Sequence, residues 1–247
     1  NKEINQRIPK KYNEKIKKKF DDILNEKKII AFFILTPTPT HYFYLTSLIK
    51  INKKIFCEKP FTSDLTEYKK LQKKIDLHKY NKKIQVGYVY RFAETYQLIK
   101  KLIKKNALGD LLHCNLKIYG LGGHKIWKHQ NKITGGVIFE MLSHMVDLAV
   151  WLFGKCIQIK YVDKQILRKE RIVEDKIVKI KKPDYCLVQL KFEQNIIVNI
   201  ESNFFSKTFH QSIHLSGSSG FIRSNINDNT LKLLTNKIST YNVDNSS

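Results

Sequence analysis

The stretch Ile29-Ile30-Ala31-Phe32-Phe33-Ile34-Leu35, closed by Thr36-Pro37-Thr38-Pro39 and leading into Thr40-His41, decides the fold. A short unbroken apolar run bounded by prolines reads as a strand buried on both faces of a parallel sheet. Working outward, Thr40 to Ile51 has helical spacing, and Lys54 to Cys57 reads as a second short strand that Pro60 stops. Leu65 to Tyr80 follows as a helix and Ile84 to Tyr90 as a third strand. Upstream, residues 10 to 26 also carry apolar side chains at helical spacing. Strand and helix alternate, which is the pattern of a doubly wound α/β sheet.

After Arg91 the texture changes. A helix, Glu94 to Lys105, and the Leu108-Gly109-Asp110 turn lead to a strand over Leu111 to Tyr119 and a Gly-rich loop, Gly120 to Gly123. Alternating segments follow at Ile157 to Leu167, Asp184 to Phe192, Ile196 to Phe205 and Ser212 to Leu215, and they read as long antiparallel strands. Two domains are expected, residues 1–91 and 92–247.

The chain is 247 residues long, 42% apolar, with a formal charge of +23. That charge invites a nucleic-acid partner, but arginine supplies little of it: Lys outnumbers Arg 40 to 5. Nucleic-acid readers draw on Arg for bidentate contacts and interleave aromatics with their basic residues. Here the basic runs, Lys15 to Lys19, Lys69 to Lys74 and Lys100 to Lys105, read as solvated helix faces, so no nucleic-acid partner is expected. Cys57, Cys114, Cys156 and Cys186 show neither C-x-x-C pairing nor metal-like clustering, which fits reduced thiols in the cytoplasm and no metal site. No apolar run reaches membrane-spanning length and no secretory signal is present, so no membrane partner is expected.

Chemistry concentrates in Gly135-Gly136-Val-Ile-Phe-Glu140-Met-Leu-Ser-His144-Met-Val-Asp147-Leu-Ala-Val-Trp151-Leu-Phe-Gly154. The segment reads as a buried helix, yet Glu140, His144 and Asp147 at i, i+4 and i+7 share one face. Ionisable groups buried together must satisfy one another or face a polar cavity. A carboxylate one turn from an imidazole can tune a general base. A hydrogen-bonded core histidine with a capping aspartate would give the same pattern.

Ligands of open parallel sheets bind beyond the carboxyl ends of the strands. The first such end releases Thr36 to His41 into a helix N-terminus, whose free N–H groups would suit an anionic or polar cofactor group unless Thr40 merely caps the helix. The second releases Cys57-Glu58-Lys59-Pro60. A lysine at the mouth of a sheet can be partly desolvated and can polarise a substrate hydroxyl.

In this order the motifs resemble one family, the glucose-fructose oxidoreductase and inositol dehydrogenase family, also written Gfo/Idh/MocA. They are Thr36-Pro37 with His41, Glu58-Lys59-Pro60, Val86-Gly87-Tyr88-Val89-Tyr90-Arg91-Phe92, and the Gly-Gly helix with an acid, His144 and Asp147. The resemblance covers roughly residues 10 to 220. It implies an NAD(P)-binding Rossmann domain followed by an α+β domain with a large open, mainly antiparallel sheet. It also implies hydride transfer between NAD or NADP and a sugar, cyclitol or nucleotide-sugar hydroxyl. Carried over, Lys59 would hydrogen-bond the reacting hydroxyl, and His144 would be the acid/base, with Glu140 where the family has Asp. Thr36, Pro37, Thr38 and His41 would line the dinucleotide cleft, with Glu58, Lys59 and Arg91 towards the nicotinamide and Trp127 close by. The open sheet suggests a homodimer or homotetramer.

The dinucleotide fingerprint G-x-G-x-x-G should follow a first strand, and nothing upstream of residue 29 fits it. The expectation is therefore a Rossmann-type sheet lacking its first βαβ unit, entered at its third helix, with weakened dinucleotide binding. A non-catalytic binding or assembly remnant of the same fold is the alternative reading.

Overall fold

The computed structural model describes residues 20–122, 126, 136–225 and 228–244. It divides into two compact units, residues 1–87 and 88–247. The boundary falls just before the expected one, because Tyr88 to Arg91 make their side-chain contacts inside the second unit.

In the first unit, α1 (Phe20–Leu24) precedes β1 (Ala31–Ile34), α2 (His41–Leu48), β2 (Lys54–Cys57), α3 (Leu65–Leu77) and β3 (Ile84–Val86). The strands form a parallel sheet in the order β1-β2-β3, with Ile34 level with Cys57 and Cys57 level with Val86. Asp64 caps α3, its carboxylate accepting from the Glu67 N–H at 2.9 Å. Leu45, Leu48, Ile49 and Leu71 from the helical layer bury against Phe32, Ile34, Ile55 and Cys57. Each large apolar side chain so buried is worth about 1.5–3 kcal/mol.

Two expectations change here. β1 is buried on one face only: Phe32 and Ile34 point into the core, while Phe33 is 69% exposed and lies against Phe56. The third strand ends at Val86 rather than Tyr90, and Val89–Arg91 form a single 3-10 turn.

In the second unit, α4 (Glu94–Lys104) and β4 (Leu111–Tyr119) precede a long helix, α5. That helix opens as a π turn over Ile138–Leu142 and continues as regular helix over Ser143–Phe153. Then come β5 (Cys156–Gln165), the hairpin β6 (Glu170–Val173) and β7 (Lys176–Lys179), β8 (Tyr185–Phe192), β9 (Ile197–Asn203), β10 (His210–Gly217), β11 (Gly220–Asn225), β12 (Thr230–Leu234) and β13 (Ile238–Asn242). Eight of these strands form one sheet in the order β13-β12-β11-β10-β4-β9-β8-β5. Its neighbours run antiparallel except for β4 and β9, which are parallel.

Burial alternates along β8, β9 and β10, so one face of the sheet is covered and the other is open. The covered face packs Leu116, Ile118, Val198, Ile200 and Leu215 against Ile99 and Leu102 of α4 and Met145, Leu148 and Leu152 of α5. Lys100 ties the two helices together: its ammonium sits 3.7 Å from the centre of the Trp151 ring and donates to the Trp151 carbonyl at 2.8 Å. The five strands expected after residue 92 are present in this sheet, β11 to β13 extend it, and the β6–β7 hairpin stands as a separate two-stranded sheet.

Candidate functional site

In the first unit, candidate site residues stand at the carboxyl ends of β1 and β2. After β1, Thr36 enters a turn in which the Thr40 N–H donates to Pro37 O at 2.9 Å and the His41 N–H donates to Thr38 O. Thr40 Oγ1 lies 2.7 Å from Thr36 Oγ1 and 2.8 Å from Pro37 O. Of the N–H groups expected at this strand end, two are therefore engaged within the turn. Pro37 and Pro39 have no N–H, and those of Thr40 and His41 are used within the turn. Thr40 does not cap α2 through its side chain either.

His41, expected to line the dinucleotide cleft, links two loops. Its ring is 1% exposed, with Nδ1 2.9 Å from Pro60 O and Nε2 2.8 Å from Thr36 O. The imidazole fastens the loop after β2 to the loop after β1. Thr36 and Thr38 are half-buried, and Pro37 is exposed.

The loop after β2 carries Glu58 and Lys59, both half-buried, and the Lys59–Pro60 peptide is cis. Two backbone bonds fix its base: the Glu58 N–H donates to Ile34 O at 2.9 Å and the Gly87 N–H to Cys57 O at 2.8 Å. The Glu58 carboxylate turns back to accept from the Lys59 N–H at 3.1 Å. Gly87 makes room for it, since a Cβ there would sit 3.0 Å from Phe56 Cζ and 3.2 Å from Glu58 Oε1. Burial and the neighbouring Glu58 charge push the Cys57 thiol up to about 12, so it stays protonated.

In the second unit, candidate residues gather around α5. Gly136 begins this helix with φ +66°, and a Cβ there would meet the Pro183 carbonyl at 2.4 Å, so the position requires glycine. That carbonyl accepts from the Val137 N–H at 3.0 Å. Glu140 lies in a π turn, Ile138–Leu142, and His144 in the regular helix that follows it. Such turns recur at functional sites.

His144 is flanked by two tyrosines from the 3-10 segment. The Tyr90 ring lies 5.0 Å from the imidazole and tilted, and the Tyr88 ring lies 6.2 Å away and edge-on. Burial pushes the Tyr90 phenol up to about 12. The Tyr88 phenol is raised by burial and then by the charge of Asp147.

Arg91, expected towards the nicotinamide, forks onto Asp147, donating from Nε at 2.8 Å and from Nη2 at 2.5 Å. That hydrogen bond raises the Arg91 pKa further. Asp147 therefore anchors the segment that carries the two tyrosines. Reading the sequence missed Tyr88 and Tyr90, although two tyrosines directly after Gly87 were the available signal. Trp127 and Gly135 lie outside the described residues. Among the described residues, no cluster of His, Cys, Asp and Glu could hold a metal ion, and no helix is long and apolar enough to cross a membrane.

Comparison with known proteins agrees with these features. Residues 1–88 match a model described as an oxidoreductase family with an NAD-binding Rossmann fold, and residues 96–223 match the GFO/IDH/MocA C-terminal domain. An inositol 2-dehydrogenase of Rhodococcus jostii is 34% identical over 143 residues, which is 54% of this chain and 35% of that protein. A myo-inositol 2-dehydrogenase of Thermotoga maritima is 23% identical over 217 residues, covering 86% of this chain and 61% of that protein. The chain thus spans about half, or less, of most curated relatives it matches, as with 37% and 52% of two others.

Among solved structures, an NAD-binding oxidoreductase from Klebsiella pneumoniae superposes with a TM-score of 0.86 at 16% identity, covering 96% of this chain and 67% of that one. Levoglucosan dehydrogenase in complex with NADH and levoglucosan gives 0.85 at 19% identity, covering 98% and 68%. At these identities the superpositions establish the fold. With both family models matched in order along its length, the chain belongs to the Gfo/Idh/MocA oxidoreductase family.

Proposed function

We propose that this protein is an NAD(P)-dependent oxidoreductase that interconverts a hydroxyl and a keto group on a sugar, cyclitol or nucleotide-sugar. The observation that carries this reading is the loop after β2, where the Glu58 carboxylate rests in the space left by Gly87 and Lys59 follows directly. An acceptor carboxylate with the Thr36 and Thr38 hydroxyls at the adjoining strand end suits the ribose and carboxamide groups of a nicotinamide dinucleotide. That cofactor, when bound, accepts or supplies the hydride.

The residues of this chain do the rest. Glu58, Thr36 and Thr38 hold polar groups of the cofactor, and His41 keeps their two loops in register. Lys59 donates a hydrogen bond to the reacting hydroxyl oxygen and stabilises negative charge as its proton departs. His144 accepts that proton in the oxidative direction and returns it in the reductive one. Tyr88 and Tyr90, kept as neutral phenols by burial, hold the imidazole face and shield it from water. Sugar and cyclitol substrates are supported by the relatives named for inositol and the structural neighbour holding levoglucosan. A homodimer through the open sheet belongs to the same reading, supported by exposed Ile157, Ile159 and Tyr161 along β5.

The test is a turnover assay with NAD and NADP against a panel of sugars and cyclitols. Lys59→Met and His144→Asn should each lower the rate by about 10²–10⁴. An unchanged rate in either variant overturns the assignment of that residue. Dinucleotide binding without turnover on any substrate would favour the non-catalytic reading.

A further inference from the structure

On the covered face of the eight-stranded sheet, beside Ile118 and Ile213, stands a buried amide. Gln211 of β10 is 1% exposed and lies level with Ile118 of β4. Its Nε2 donates to the Tyr96 hydroxyl at 2.7 Å. Its Oε1 is buried too and has no hydrogen-bond partner among the described residues. Turning the amide over only exchanges the orphan, since the oxygen would then accept from the phenol and the nitrogen would be stranded. A buried polar atom without a partner carries a desolvation cost, which a methionine of the same length would avoid. Packing alone gives no reason for an amide at position 211.

What the amide holds is Tyr96. This residue, in the first turn of α4, is 5% exposed and lies edge-on to the Tyr90 ring with centroids 6.0 Å apart. The Tyr90 ring in turn lies 5.0 Å from the imidazole of His144. The Tyr96 phenol is raised by burial and then by Tyr90, so it stays neutral and accepts from the amide. The backbone already ties the two tyrosine segments, the Ala93 N–H donating to Tyr90 O at 3.3 Å and the Tyr96 N–H to Ala93 O at 3.1 Å. Contact between two rings leaves their mutual slide and tilt soft, and a hydrogen bond at the phenol end removes that freedom.

We propose that Gln211 and Tyr96 are positioning residues for the acid/base site: the amide pins the Tyr96 hydroxyl, Tyr96 seats Tyr90, and Tyr90 holds the His144 ring at a set depth and tilt. All four residues belong to the second unit. Gln211 and Tyr96 act through Tyr90 and have no assigned contact with substrate or cofactor. The kinetic consequence rests on the oxidoreductase reading, while the seating of the imidazole does not.

Proton magnetic resonance of the His144 ring tests the seating, because the ring current of Tyr90 shifts those signals. His144→Asn assigns them, and Tyr90→Leu shows where they move when the neighbouring ring is lost. Gln211→Met and Tyr96→Phe should each displace the His144 signals towards their Tyr90→Leu positions. The double variant Tyr96→Phe/Gln211→Met leaves neither partner with an unpaired polar atom, so it should melt no lower than the parent while the signals stay displaced. In a turnover assay, kcat should fall about tenfold in each variant with KM for the dinucleotide unchanged. His144 signals that stay in place in both single variants overturn the proposal. A double variant that melts below the parent overturns it as well, since the pair would then be holding the fold. Absence of turnover in the parent speaks against the oxidoreductase reading alone, because the resonances, read without substrate, still decide the seating.

Discussion

Arg91 and Asp147 form a two-pronged ion pair that bolts the 3-10 turn after Gly87 to the middle of α5. The aspartate that the sequence placed on one face with Glu140 and His144 is thereby committed to the arginine. Its contribution to the candidate site is to fix Tyr88 and Tyr90 against the imidazole of His144.

Breaking that pair should loosen the tyrosine segment. Asp147 is 11% exposed and Arg91 39%, so solvent screens part of the interaction. Asp147→Asn should cost about 1–2 kcal/mol in chemical denaturation. Arg91→Lys should lose a comparable amount because an ammonium cannot reproduce the fork. Unchanged denaturation midpoints in both variants would remove the anchoring role.

Gly87→Ala probes the seat of Glu58. The new methyl would press on Phe56 Cζ and Glu58 Oε1 at 3.0 and 3.2 Å, so the carboxylate must shift and strain its bond from the Lys59 N–H. The expected outcome is a stability loss of about 1 kcal/mol together with weaker NADH binding in a fluorescence titration. Glu58→Gln keeps the shape and should lose affinity without the stability cost. Equal NADH affinity in Gly87→Ala and the parent would separate Glu58 from cofactor binding.

His41→Leu leaves the Thr36 and Pro60 carbonyls without their ring partner inside the protein. A single ring tautomer donates to only one of these carbonyls, so one buried acceptor loses its donor and the variant should fall by about 1–3 kcal/mol in urea denaturation. A variant as stable as the parent would mean that the two loops hold together without the imidazole.

The fold was legible because its signals are local. The apolar run before Thr36-Pro37, the stop at Pro60 and the two-residue alternation in β8 and β9 each follow from the few residues involved. What the sequence hid is set by neighbours distant along the chain. Phe33 reads as core, and its exposure depends on which layer covers that side of the sheet. Glu140 and His144 read as one helical turn, yet the π turn that holds Glu140 leaves no residue signature. His41 was legible as a site residue but not as a fastener, because its partners are backbone carbonyls, which any residue type supplies. Arg91 and Asp147 are 56 positions apart, and no spacing rule joins them.

Cys57 makes a prediction at alkaline pH. Its thiol is buried beside Glu58 and is pushed from 9.0 to about 12. A raised folded value means that the native state holds its proton where the unfolded chain has already lost it. The associated stability is therefore complete below pH 9 and declines as pH rises from 9 towards 12, at no more than about 1.4 kcal/mol per pH unit for one proton. Cys57→Ala should be less stable near neutrality by about 1 kcal/mol because a buried side chain is trimmed. It should then lose stability more slowly than the parent above pH 9. Lysines and tyrosines that titrate in the same range are common to both proteins, so the difference between the two curves isolates the thiol. Parallel curves for parent and variant, measured by denaturation at a series of pH values, would show that ionisation at the end of β2 is not coupled to folding.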